Sequence, residues 1–206
     1  MFFLKRLALI FLIISVHVYG DNRKNDLTKS KIIQEATLLD TKFNIDKKII
    51  LAYIATESNF NFYPIAIKTN DPTFLNKLYI HLGYKTKRKG KYVSIYPKDY
   101  DDAEFAYDLM ALNKELLQIV DYDLGVMQIN TRNIKRYGID EKETYLNYKE
   151  NMLYGADIIR GCYEILKNKT KIENILECYN RGSNIKHLNR SDRSYLNRFI
   201  ENYQKL

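Results

Sequence analysis

Histidine and cysteine are scarce in this 206-residue chain, with three of the first and two of the second. His17, His81 and His187 are scattered, and Cys162 and Cys178 fit no zinc-ligand spacing. The residues therefore call for no metal, and no organic cofactor is expected. Three prolines and eight glycines form no linker, and no segment repeats, so the length is read as one domain. After the first twenty residues no stretch is apolar enough to cross a bilayer. No cysteine follows the first apolar run, so nothing suggests a lipid-anchored N terminus.

Acidic residues are outnumbered, 25 against 33 Lys and Arg, for a formal net charge of +8. Such a surface suits nucleic acid, an anionic membrane or an acidic polymer, although solubility alone explains it equally well. The N terminus bears on that choice. Met1 to Arg6 carries Lys5 and Arg6 and no acid, Leu7 to Val18 is apolar apart from Ser15 and His17, and Gly20 offers a small residue for cleavage. Residues 1–20 thus read as a secretory signal peptide and 21–206 as the mature domain, with an uncleaved anchor as the alternative. Loss of Lys5 and Arg6 lowers the charge from +8 to +6. Export points to the periplasm, argues against nucleic acid, and limits membrane contact to the transit of the leader. Peptidoglycan, with its stem-peptide carboxylates, becomes a reasonable partner.

Helical spacing dominates the rest. Ile32, Ala36, Leu39 and Phe43 recur at steps of three and four, and Asp46 caps a second helix with Ile50, Tyr53 and Ile54 on one face. Pro64 and Asn70-Asp71-Pro72 interrupt the pattern. Leu78–Leu82 and Tyr92–Tyr96 are β-prone and flank the basic run Lys85–Lys91, which predicts a hairpin with that run at its tip. Asp101 with Glu104 predicts a helix whose stripe is Phe105, Leu109, Leu112 and Leu116. Further helices are expected over 147–167, over 170–181 (Thr170 and Glu173 capping, Gly182 ending it) and over 191–203. Cys162 and Cys178 fall on consecutive helices joined by a short turn at 168–170. They can pair in an oxidising compartment, or remain two buried thiols. The fold class is mainly α of an α+β kind, with a small β-hairpin insertion at about 64–122.

Three places carry chemistry. Glu57 lies four residues after Tyr53 and three after Ile54, on the apolar face of its helix. Desolvation there raises a carboxyl pKa, which a general acid of glycoside cleavage needs, whereas a glutamate at a helix end can also turn to solvent. Gly125-Val126-Met127-Gln128-Ile129-Asn130 combines close backbone approach, a pliable apolar wall and amides, a mixture suited to a sugar groove or to a loop entering a helix. Cys178-Tyr179-Asn180-Arg181-Gly182 places an aromatic and an amide at a helix end.

Glu57-Ser58, Gly125–Asn130, Asn151-Met152 with Gly155-Ala156, and Tyr179-Asn180-Arg181-Gly182 together resemble, in order, the motifs of soluble lytic transglycosylases, which share the goose-type lysozyme fold. The resemblance covers roughly residues 32–203 and is strongest to the small single-domain enzymes accompanying secretion and conjugation machines. It implies a peptidoglycan lytic transglycosylase that cleaves between N-acetylmuramic acid and N-acetylglucosamine and leaves 1,6-anhydro ends, with components of such a machine as partners. Glu57 becomes the acid/base. Ser58, Met127, Gln128, Tyr179, Asn180 and Tyr195 become substrate-side residues. The long insertion between Glu57 and Gly125 departs from the family pattern, so Ala66 and Lys68 do not map. Two alternatives stay open: a muramidase admitting water, with Asp121 and Asp123 as the nearest second carboxylates, and a non-catalytic wall-binding assembly protein.

Overall fold

The computed structural model describes residues 24–166, 171–182 and 193–206. The leader, the turn at 168–170, Thr170, His187 and Ser191 lie outside them. In chain order the elements are α1 (Lys24–Phe43), α2 (Lys47–Glu57), β1 (Ile65–Thr69), α3 (Pro72–His81), β2 (Lys85–Lys89) and β3 (Tyr92–Tyr96). They continue through α4 (Tyr100–Leu112), β4 (Ile119–Leu124), β5 (Ile129–Asn130), α5 (Thr131–Tyr137), α6 (Glu141–Leu146), α7 (Tyr148–Ile165), α8 (Ile172–Arg181) and α9 (Arg193–Lys205). The class is mainly α with one small antiparallel sheet, consistent with the lysozyme-like expectation.

The central element is α2. Asp46 starts it by accepting from the Lys48 amide at 2.7 Å. Ile50, Leu51, Ala52, Tyr53 and Ile54 are all buried, so the helix is apolar nearly all round and must be enclosed. It packs between α1, through Ile32, Ala36 and Leu39, and α9, through Phe199. Ser58 closes it, its amide donating to the Ile54 carbonyl at 2.9 Å.

The sheet runs in the order β2-β3-β1-β4-β5. Here the expected hairpin is corrected. Leu78–Leu82 is not a strand, because Leu75, Leu78 and Tyr79 recur at helical spacing and are buried together in α3. Asn70-Asp71-Pro72 starts that helix: Asp71 accepts from the Phe74 amide at 3.1 Å and Pro72 occupies the first turn. The basic run is itself strand β2, paired from Lys85↔Tyr96 to Lys89↔Tyr92, and the turn is Gly90-Lys91 with Gly90 at φ 58°. The cap of α4 is also corrected, from Asp101 to Asp99, which accepts from the Asp102 amide at 3.1 Å. Its buried face holds Ala103, Ala106, Tyr107, Leu109 and Met110, whereas Phe105 and Leu112 are exposed. Tyr107 stacks on Tyr145 of α6, the small residues are buried in the core, and the larger pair is left outside.

The helix α7 opens at Asn147, whose side chain accepts from the Lys149 and Glu150 amides. α8 packs on it, and Cys162 and Cys178 form a disulfide with Cα atoms 5.9 Å apart, so the pairing alternative is the one realised. α8 begins at Ile172 without a side-chain cap and ends at Gly182, whose amide donates to the Cys178 carbonyl at 2.8 Å.

Candidate active site

Glu57 is the last residue of α2 and reaches the floor of an open groove of about 1210 Å³. One side of this groove is the sheet, and the other is formed by α8 and α9. Glu57 is half-buried in the groove floor, and burial pushes its carboxyl pKa from 4.5 to about 7. The Tyr195 hydroxyl opposes that shift by donating to Oε1 at 2.5 Å. Repulsion from Asp123 adds to it, and Arg198 partly offsets it. The position at a helix C terminus acts in the same direction as burial, since the last carbonyls disfavour negative charge.

Behind Glu57 stands an aromatic cluster of tilted and edge-on rings. The Tyr53 ring lies 4.7 Å from Tyr179 and 5.0 Å from Phe199, centroid to centroid. Tyr179 is fixed at its far end, its hydroxyl donating to the Met127 carbonyl at 2.7 Å. The cluster joins α2, α8 and α9 behind the carboxyl.

The 125–130 turn forms the adjoining wall. Gly125 adopts φ 77° and approaches Asn151 so closely that a Cβ there would stand 2.5 Å from Asn151 Nδ2. Fully buried Asn151 accepts from the Met127 amide at 2.8 Å and donates to the Leu124 carbonyl at 2.9 Å. Gly155 supplies the space for Met127, whose side chain would lie 2.7 Å from a Cβ at that position. Gln128 takes the left-handed φ of 49° and donates through Nε2 to the carbonyls of Pro64 (3.0 Å) and Gly125 (2.8 Å). These bonds hold the turn open toward the groove.

Glu57, Gln128, Tyr179, Asn180 and Tyr195 therefore share one cavity. Ser58 and Met127 are buried beneath its floor: the Ser58 hydroxyl donates to the Ile54 carbonyl at 3.0 Å, and Met127 packs on Gly155. Sequence reasoning gave no role to Tyr53, Asn151 or Arg198. Arg198 was findable, because it follows Tyr195 by three positions and so shares its helix face, where its guanidinium lies 5.6 Å from the Tyr195 ring.

Asp121 and Asp123 face the groove from β4. Burial raises Asp123 to about 6, partly offset by the 2.7 Å bond from Asn130. Burial also opposes the charge of Asp121. Its bonds from Thr131 (2.5 Å) and the Tyr122 amide (3.0 Å), with the Arg132 ion pair at 3.3 Å, nevertheless hold its carboxyl below the usual range. Among the described residues no group of three His, Cys, Asp or Glu could hold a metal ion. No described helix is long and apolar enough to cross a membrane.

The model of the transglycosylase SLT domain family matches residues 33–200. Neither the curated proteins nor the solved structures gave a significant match.

Proposed function

Because this chain belongs to the transglycosylase SLT domain family, whose members are peptidoglycan lytic transglycosylases, we propose that Glu57 is the single acid/base with which it cuts the glycan. One observation carries this reading: a carboxyl at the end of a buried helix, open to the groove, with a pKa of about 7. Near neutral pH such a group is populated both as the acid and as its conjugate base, and the reaction needs each in turn.

In the first step protonated Glu57 donates to the glycosidic oxygen between N-acetylmuramic acid and N-acetylglucosamine, and the C–O bond breaks. The neighbouring N-acetyl carbonyl shares the positive charge that develops at the anomeric carbon, the part a second carboxylate plays in most glycosidases. In the second step Glu57, now a carboxylate, accepts the proton of the muramyl C6 hydroxyl as that oxygen attacks the anomeric carbon. A 1,6-anhydro ring closes and the enzyme regains its starting proton. Tyr195 steadies Glu57 in its charged form and thereby aids its return to base duty. Both Nε2 hydrogens of Gln128 are taken by the Pro64 and Gly125 carbonyls, so its Oε1 is left to accept from a sugar hydroxyl or N-acetyl N–H; Asn180 offers an amide, and Tyr179 supports the wall between them.

The protein acts in the periplasm in this reading. The leader-like residues 1–20 and the Cys162–Cys178 bond support an oxidising compartment outside the cytoplasm. The short single domain supports local opening of the wall for an envelope-spanning secretion or conjugation machine. Mass spectrometry of the muropeptides released from sacculi tests the chemistry. Anhydro-muramyl ends are expected, and reducing muramic acid ends would show a hydrolase in which water, steered by Asp123, replaces the C6 hydroxyl.

A further inference from the structure

The groove reaches well past Glu57, along the face of the sheet that α3 does not cover. On edge strand β2 the two faces separate cleanly. Thr86 donates to Asn76 Oδ1 at 2.8 Å and Arg88 to Thr73 Oγ1 at 2.9 Å, so both face α3. Alternation along the strand sends Lys87 and Lys89 to the opposite face, where they line the groove with Lys91 and with Lys68 of β1. Lys87, Lys89 and Lys91 thus crowd one end of a cavity whose other end holds Glu57 and Asp123, and Lys68, opposite Asp121 of β4, stands between the two ends.

Their distance from the chemistry follows from the register. Lys87 pairs with Ser94, Ser94 with Ala66, and Ala66 with Asp123. Three strand spacings of about 4.8 Å separate Lys87 from Asp123 by roughly 14 Å. Charges on β2 are too far away to touch the bond being broken, but they can reach substituents on neighbouring sugars. Among the described residues, the ion pairs within 4 Å do not involve Lys68, Lys87, Lys89 or Lys91. Among the described residues the Lys91 ammonium donates to the Asn70 amide oxygen at 3.3 Å, and Lys68 lies 5.9 Å from the Tyr92 ring.

We propose that this basic end of the groove is a subsite for the carboxylates of peptidoglycan stem peptides, so that peptide-bearing strands bind in preference to bare glycan. The inference rests on reading the groove as the peptidoglycan cleft. It names the part of the substrate that the sheet recognises. Lysines on an edge strand also discourage strand-to-strand aggregation, but that purpose is served by charge on either face. The cation that faces α3, Arg88, has a partner there, whereas Lys87 and Lys89 point into the cavity.

Binding, measured apart from turnover, tests this. In a Glu57→Gln background, which leaves strands uncut, affinity is compared for peptide-bearing strands, the same strands with carboxylates amidated, and strands stripped of peptides. Each is repeated with Lys87→Gln/Lys89→Gln/Lys91→Gln, with thermal unfolding confirming that the variant is folded. Amidation or peptide removal should weaken binding about tenfold at low salt, the combined effect of a few solvent-screened pairs. The triple variant should bind all three weakly and alike, and higher salt should shrink the difference. Equal binding of all three strands by the lysine-bearing protein overturns the subsite. So does a preference that survives the triple substitution, or a triple variant that loses affinity only for vesicles of anionic phospholipid. Absence of anhydro products from the wild-type enzyme would instead count against the chemistry assigned to Glu57.

Discussion

Tyr195 on the last helix donates a 2.5 Å hydrogen bond to Glu57 Oε1 on the second, joining two residues of the groove lining across a sequence separation of 138 residues. The bond favours the carboxylate form of Glu57, while the nearby charge of Asp123 disfavours it. Tyr195→Phe should therefore raise the Glu57 pKa above about 7 and shift the alkaline limb of the pH–rate profile upward, with kcat/KM down on the order of tenfold. Asp123→Asn should move that limb downward. Profiles of the two variants that shift in the same direction would contradict this electrostatic arrangement.

Glu57 also opposes folding at neutral pH. Its folded pKa of about 7 exceeds the ordinary 4.5, so the folded state binds the proton more tightly than the unfolded chain. Stability attributable to this group is complete below pH 4.5 and falls as pH rises toward 7. Glu57→Gln cannot ionise, so it should melt higher than wild type at pH 8, and the gap should close below pH 4.5. A gap that widened toward acid would reverse the sign of the argument.

Asn151 holds the 125–130 turn with both ends of its side chain. Asn151→Ala would strand the buried Met127 amide and Leu124 carbonyl and should cost about 3 kcal/mol in urea unfolding. A cost below about 1 kcal/mol would mean the turn has other support.

The disulfide lies one residue before Tyr179, so it fixes the start of the α8 segment that enters the groove. Replacing both cysteines by serine should remove about 3 kcal/mol of stability in the chain-entropy model. It should also lower turnover by loosening Tyr179 and Asn180. Equal stability of the oxidised and serine forms would show that α7 and α8 pack as firmly unaided.

Much of the site could be read in the sequence because its parts are local. The spacing of Glu57 from Tyr53 and Ile54 placed it on an apolar face, and Gly125–Asn130 announced a tight turn by its glycine and amides. The sheet was harder to read. Lysine and arginine are poor strand formers, so Lys85–Lys89 read as a tip, yet pairing with Tyr92–Tyr96 overrides that propensity. Leu78–Leu82 has strand-like residues, but its buried positions recur at helical steps. In α4 the larger apolar residues drew the stripe onto the wrong face, because Ala103 and Ala106 fit the core where Phe105 and Leu112 would not. Asn151 acts on a turn 24 residues before it in the chain, a contact that no local pattern records.

The most direct measurement compares wild type and Glu57→Gln for anhydro-muropeptide release from sacculi, with sacculus binding followed in parallel. An amide cannot deliver the proton that starts the cleavage. Wild type should release anhydro-muropeptides, and Glu57→Gln should bind sacculi normally while losing at least ~10³-fold of the rate. Release by Glu57→Gln at the wild-type rate would contradict the assignment of Glu57 as the acid/base.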